Sequence, residues 1–185
     1  MSIVIAILEP EKGITLYADR KWVLAGPKGK IYAEGEVEKL HHITPTIACG
    51  YTGSKDWCEA LTLVLSQSAK HKASELIELI KTYPYNGKVE GSTYILAGIY
   101  DNGRPFLFGY KSTGEFTLVQ DQEADVFATS PTEYLHNCQE FFYQDLDLHN
   151  DLDLASIHTI EFAATQNPTY IGSNYNSIKI PAIHH

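Results

Sequence analysis

Ile3-Val4-Ile5-Ala6-Ile7-Leu8 is apolar at every position and begins almost at the start of the chain. A strand with one wet face alternates apolar and polar side chains. An unbroken run rich in β-branched residues reads instead as a strand buried on both faces. Glu9-Pro10-Glu11-Lys12-Gly13 is turn chemistry, with Pro setting φ and Gly permitting φ > 0. Ile14 to Ala18 resumes as a strand ending at Asp19, so the two runs form a hairpin whose far end brings Ser2 close to Asp19.

The remaining elements fall into blocks. Trp22 to Gly29 reads as a loop, Lys30 to Ala33 as a short strand, Val37 to Ile43 as another, and Thr46 to Cys49 as a strand ending in Gly50-Tyr51-Thr52-Gly53. Ser54 is a candidate cap for a helix with Trp57, Ala60, Leu61, Val64 and Leu65 on one face. Beyond the polar break Lys70-His71-Lys72, Ala73, Leu76, Ile77 and Ile80 repeat that spacing up to Pro84. Strands follow at Thr93 to Tyr100, Pro105 to Tyr110 and Glu115 to Val119, parted by the turns Asp101-Asn102-Gly103 and Lys111 to Gly114, with a further short strand at Val126 to Ala128. Pro131 opens a helix with Tyr134, Leu135, Cys138, Phe141 and Phe142 on one face. Asp153 to Ala164 reads as a helix with Leu154, Ile157, Ile160 and Ala164 inward, and Ser177 to Pro181 as a final edge strand. Strands, two helices, strands, two helices and a last strand suit an α+β fold of two antiparallel sheets between two helix pairs. The expectation is one domain over residues 1–185, a length able to bury its own core.

Charge and motifs exclude more than they select. The 23 acidic residues outnumber 14 basic ones, and no basic run appears, so a nucleic-acid role driven by overall charge is disfavoured. No apolar stretch reaches membrane-spanning length and no signal peptide is visible, so a soluble, cytoplasmic protein is expected. Cys49, Cys58 and Cys138 are odd in number, lack metal-type spacing and lie in apolar contexts, which reads as reduced core cysteine. Phosphate-loop, serine-elbow and His-Glu-x-x-His patterns are absent. His41-His42 point to opposite faces of a strand and cannot chelate one metal together. The acidic run from Asp145 to Asp153 lacks the Gly and terminal Glu of a calcium loop and reads as a solvated connection between helices. No metal or cofactor is expected.

Ser2 follows the initiator Met, and Met before a small residue is ordinarily trimmed. The α-amine thus freed has an ordinary pKa of about 7.7–8.0, so it can act as a base near neutrality. An N-terminal Ser then carries nucleophile and base on one residue. Its neighbours add to this: Ala18-Asp19-Arg20-Lys21 closes the second strand, Glu38-Lys39-Leu40 lies on a later one, and Ala48-Cys49-Gly50-Tyr51-Thr52-Gly53 runs into a helix.

This ordered set resembles the proteasome β-type and HslV peptidases of the N-terminal nucleophile hydrolase superfamily. Ile95 to Gly98, Asp101 to Gly103, Tyr110 to Gly114 and Thr129-Ser130-Pro131 extend the likeness over nearly the whole chain. The resemblance implies a four-layer αββα sandwich. It implies Ser2 as nucleophile, Asp19 holding Lys39, Lys39 activating the nucleophile, and the Gly50 N–H as oxyanion donor. Ala48 and Thr52 would line the substrate pocket, with Thr129, Ser130 and Asn167 in weaker supporting positions. It further implies a peptide or amide substrate, assembly into a homo-oligomeric ring, and an ATP-dependent unfoldase as a feeding partner. Two departures stand out: Ser replaces the family's Thr, and Asn167-Pro168-Thr169-Tyr170-Ile171-Gly172-Ser173 has no Asp where the family carries one. Three readings stay open: a Ser-based peptidase, an inactive subunit with a structural or ring-assembly role, and a small-molecule amidase.

Overall fold

A computed structural model describes residues 2–26, 30–68, 72–84, 91–130 and 132–183. Met1, the loop expected around Lys28, the break expected at His71 and the helix start expected at Pro131 lie outside the described residues.

The apolar N-terminal run forms β1 (Ser2–Glu9), buried through Leu8, and it turns through Glu9 to Gly13 into β2 (Gly13–Asp19). A four-stranded antiparallel sheet has the order β10-β1-β2-β11, with β10 (Ala124–Ser130) and β11 (Tyr175–Pro181) at its edges. Pro181 sits at the end of an edge strand, where its missing N–H costs no ladder bond. A five-stranded sheet runs β5-β6-β7-β8-β9, made of β5 (Leu40–Thr44), β6 (Ile47–Thr52), β7 (Thr93–Ile99), β8 (Pro105–Lys111) and β9 (Phe116–Gln120). The helices are α1 (Lys55–Gln67), α2 (Ala73–Thr82), α3 (Leu135–His149) and α4 (Leu152–Gln166).

Side-chain alternation along β1 explains why it had to be apolar throughout. Val4, Ala6 and Leu8 join a cluster with Leu16, Leu40, Ala48, Ile95 and Leu107 of both sheets. Ile3, Ile5 and Ile7 point the other way, onto Phe142, Ala155 and Ile160 of α3 and α4. A third cluster joins α1 and α2 through Trp57, Leu61, Leu76 and Ile80 to Phe106 and Phe108 of the five-stranded sheet.

Five expectations are corrected. Residues 22–29 are not all loop: β3 (Lys21–Ala25) pairs antiparallel with β4 (Ile31–Glu36) as a separate two-stranded sheet. Trp22-Val23-Leu24 are strand formers, and the expected loop residues 27–29 lie outside the described residues. Lys39 lies just ahead of β5, in irregular chain, rather than on the strand. A 3-10 turn, Thr132–Tyr134, precedes α3, which starts at Leu135. Ser54 is the N-cap residue of α1 without a side-chain cap; its N–H instead donates to the hydroxyl oxygen of Ser92 at 2.9 Å. The inward face of α4 is Ala155, Ser156, Thr159, Ile160 and Ala163, since small and hydroxyl residues let the helix lie close to the sheet. The Ser156 and Thr159 hydroxyls donate to the carbonyls one turn back, Leu152 and Ala155.

Candidate active site

Asp19 ends β2 fully buried, and four donors converge on its carboxylate. The Ile3 N–H at 2.9 Å and the Lys39 ammonium at 2.7 Å share Oδ1. The Lys21 N–H at 3.1 Å and the Gly172 N–H at 3.3 Å reach Oδ2. A buried carboxylate survives in this state because every lone pair faces a donor. Lys39 is equally hidden, with 4% of its side chain exposed. Burial pushes its ammonium below the ordinary lysine range, opposed by the attraction of Asp19. A lysine tuned in this direction gives up its proton more readily than a surface one.

Ser2 is buried, 3% exposed, and shares the side of β1 that carries Val4 into the space between the sheets. It lines a cleft of about 470 Å³ together with Lys39, Tyr51, Ser54, Trp22 and Tyr170. A larger hollow of about 840 Å³ lies by the other end of the same sheet, among Glu9, Lys12, Asp151, Asp153 and Lys179. The smaller cleft is the better candidate site, because it alone of the two combines a hydroxyl at a strand start with a desolvated amine.

The other expected residues divide. Gly50 lies opposite Leu40, where the β5–β6 ladder begins. A Cβ there would stand 2.8 Å from Leu40 Cδ2 and 3.0 Å from Val4 Cγ1, so any larger residue would push the Leu40 side chain aside in the packed core. Ala48 belongs to the cluster between the sheets, and neither it, Gly50 nor Thr52 lines the cleft, whose wall takes in Tyr51 and Gly53 instead. Among the described residues the Thr52 and Thr129 hydroxyls are buried without a hydrogen-bond partner. Thr129 opposes Ile3 in the β1–β10 register, on the helix-facing side, whereas Ser130 opposes Ser2. Asn167 ends α4, and its carbonyl accepts from the N–H groups of Tyr170 and Ile171, a turn that delivers Gly172 to Asp19. All three cysteines are free and buried; burial pushes the Cys49 and Cys138 thiols up to about 11, which suits packing rather than nucleophilic work.

Sequence reasoning missed three contributors. The β3–β4 hairpin walls the cleft through Trp22, Val23 and Leu24. Tyr170 closes it from the segment after α4. Gly53, at φ +94°, lies so close to Ser92 that a Cβ would meet its hydroxyl at 2.5 Å, so Ser92 braces the β6–α1 turn. The glycine was visible in the sequence; its partner, 39 positions on, was not.

The α+β arrangement of antiparallel sheets and four helices is consistent with a proteasome-like fold. Solved structures agree. An Anbu Gly-1 mutant from Hyphomicrobium sp. strain MC1 superposes with a TM-score of 0.71 at 13% identity, covering 98% of this chain and 82% of that one. HslV from Trypanosoma brucei gives 0.66 at 13% identity, covering 95% and 97%. Anbu, an ancestral beta-subunit, from Yersinia bercovieri gives 0.71 at 13% identity, covering 97% and 82%. No protein-family model matches the chain, and no curated protein matches its sequence. No helix among the described residues is long and apolar enough to cross a membrane.

Proposed function

We propose that the chain is a single-domain, four-layer αββα hydrolase of the proteasome-subunit type. It would cleave peptide or amide bonds with Ser2 once removal of Met1 frees the α-amine. The observation that carries this reading is Lys39, buried, paired to Asp19 at 2.7 Å and lining one cleft with Ser2. The α-amine takes the Ser2 Oγ proton as Oγ attacks the carbonyl carbon. The resulting oxyanion needs a backbone donor; the resemblance gives that role to the Gly50 N–H, although Gly50 itself stands outside the cleft wall, between Tyr51 and Cys49 of β6. The carbon–nitrogen bond breaks as the amine product leaves with the proton. Water, deprotonated by the same α-amine, then hydrolyses the Ser2 ester. Lys39 supplies the positive field that favours the alkoxide, and Asp19 holds it in place. Ring assembly and feeding by an ATP-dependent unfoldase rest on the resemblance to proteasome β-type and HslV subunits.

A second reading, a structural subunit without activity, is favoured by one feature. The segment from Asn167 to Ser173 brings no carboxylate, only the Gly172 N–H, to Asp19. One experiment separates the two. Intact mass of untagged protein reports the state of residue 1, and fluorogenic peptide amides report turnover. Loss of Met with hydrolysis abolished by Ser2→Ala supports the hydrolase. Met1 fully retained in protein from its own host, or no turnover by the trimmed form, leaves the structural subunit.

A further inference from the structure

The Asp145–Asp153 run is largely exposed, but only Asn150 and Asp151 connect the helices. Its first five residues complete α3, Asn150 caps that helix at φ 51°, and Asp151 caps α4 by accepting the Leu154 N–H at 3.0 Å. Two residues thus join α3 and α4 into a tight antiparallel helical hairpin. Further along the seam, Phe141 and Phe162 stack with centroids 4.4 Å apart and planes within 6°. The helices are therefore held in one relation before any ligand arrives.

On that seam we propose a site for one divalent transition-metal ion, Zn²⁺ by its ligand chemistry, formed by Asp145, His149 and His158. Asp145 and His149 are four apart on α3 and share a face, and His158 comes from α4. The Asp145 carboxylate, 11% exposed, has one oxygen 3.0 Å from His158 Nδ1 and the other 3.6 Å from His149 Nε2. The donor atoms of the three residues all lie within 4.8 Å of one another. A contact of 3.6 Å is too long for a hydrogen bond. It is near the edge, about 3.3 Å, of a tetrahedron with ligands 2.0–2.1 Å from zinc. The two imidazole rings stand edge to face at 5.7 Å, so their nitrogens converge without the rings colliding. Two imidazoles and one carboxylate suit zinc, cobalt or nickel over calcium or magnesium, which prefer all-oxygen shells. The imidazoles are about a third exposed, at 38% for His149 and 34% for His158, which leaves an entry path and a place for water as fourth ligand. A bound ion would pin the last turn of α3 to α4 independently of chemistry at Ser2.

Cobalt is the probe, because its visible d–d bands report coordination directly. Untagged protein, stripped with chelator, is titrated with Co²⁺ and then with Zn²⁺. One Co²⁺ per chain with d–d absorption, displaced by one Zn²⁺, is expected. His149→Ala and His158→Ala should each weaken Co²⁺ binding more than about tenfold. His149→Ala changes a position more than a third exposed at a helix end, so it keeps the test valid if His158→Ala folds poorly; circular dichroism checks both. A His136→Ala variant and a His184→Ala/His185→Ala variant should bind as the parent does. Absent bands, binding indifferent to His149 and His158, or binding lost with the His184→Ala/His185→Ala pair overturns the proposal.

Discussion

Two lysine–aspartate pairs flank β2 and differ in almost everything but contact length. Lys39 meets Asp19 at 2.7 Å with 4% and 0% of the side chains exposed. Lys179 meets Asp153 at 2.5 Å with 61% and 51% exposed. The shorter contact is the weaker one. Water screens the outer pair, and two flexible side chains must be ordered to make it. The inner pair has surrendered its hydration, so each partner depends on the other. The shifts follow suit. Burial lowers the Lys39 pKa, whereas hydrogen bonds from Lys179 and Tyr17 lower that of Asp153. Desolvation, not distance, is what lowers the lysine pKa in this molecule.

The comparison breaks first at Asp19. Asp19→Ala removes the acceptor of four donors and strands a buried ammonium, so unfolding free energy should fall by about 3–5 kcal/mol in urea titrations. A loss under about 1 kcal/mol would make the inner pair no different from the outer. Lys39→Met should cost less, about 1–3 kcal/mol, because three backbone N–H groups still hold the carboxylate. The same variant should lose any hydrolysis that Ser2 performs, with its circular dichroism unchanged.

The pH dependence sharpens the contrast. Lys39 has a folded pKa below its unfolded value of about 10.4, so between the two the unfolded chain binds more protons. Its contribution to stability therefore rises with pH across that window. Tyr17, Tyr51 and Tyr94, whose phenols burial pushes up, oppose it above about pH 10. Stability of the parent minus that of Lys39→Met should thus climb with pH in the alkaline range, as followed by urea midpoints. The smallest effect belongs to Lys179→Ala, under about 1 kcal/mol and smaller still in high salt.

Much of the fold was legible because long apolar periods are. The β1–β2 hairpin follows from the Ile3–Leu8 run and the Pro-Gly turn, and α1 and α2 from apolar residues three and four apart, although Ala60 and Val64 of the expected α1 face lie exposed while Cys58 and Thr62 are buried. The α4 face was only partly legible. Ile160 is buried and Ile157 and Ala164 pack against the same core, but the rest of the buried side is Ala155, Ser156, Thr159 and Ala163, and Leu154 sits only partly buried. Hydrophobicity misleads where close helix approach selects for small size. At the site, Asp19 and Lys39 came together as the resemblance to proteasome β-type subunits implied. Tyr170, Gly172 and the β3 wall did not announce themselves, since backbone N–H groups and strand positions carry no side-chain signature. Ala48 and Thr52 show the converse: a residue can match by order along a strand and still lie outside the cleft wall.

The four donors on Asp19 also have a kinetic meaning. Two of them, the Ile3 N–H and the Lys39 ammonium, lie 16 and 20 residues away along the chain, but the Gly172 N–H lies 153 away. Closing so long a loop is entropically costly and comes late in assembly, as non-local contacts generally do. A nascent chain that has yet to deliver residue 172 holds the carboxylate one donor short. The clasp on Asp19 is therefore complete only in a finished molecule, and amide exchange at Gly172 would time the last step of its folding.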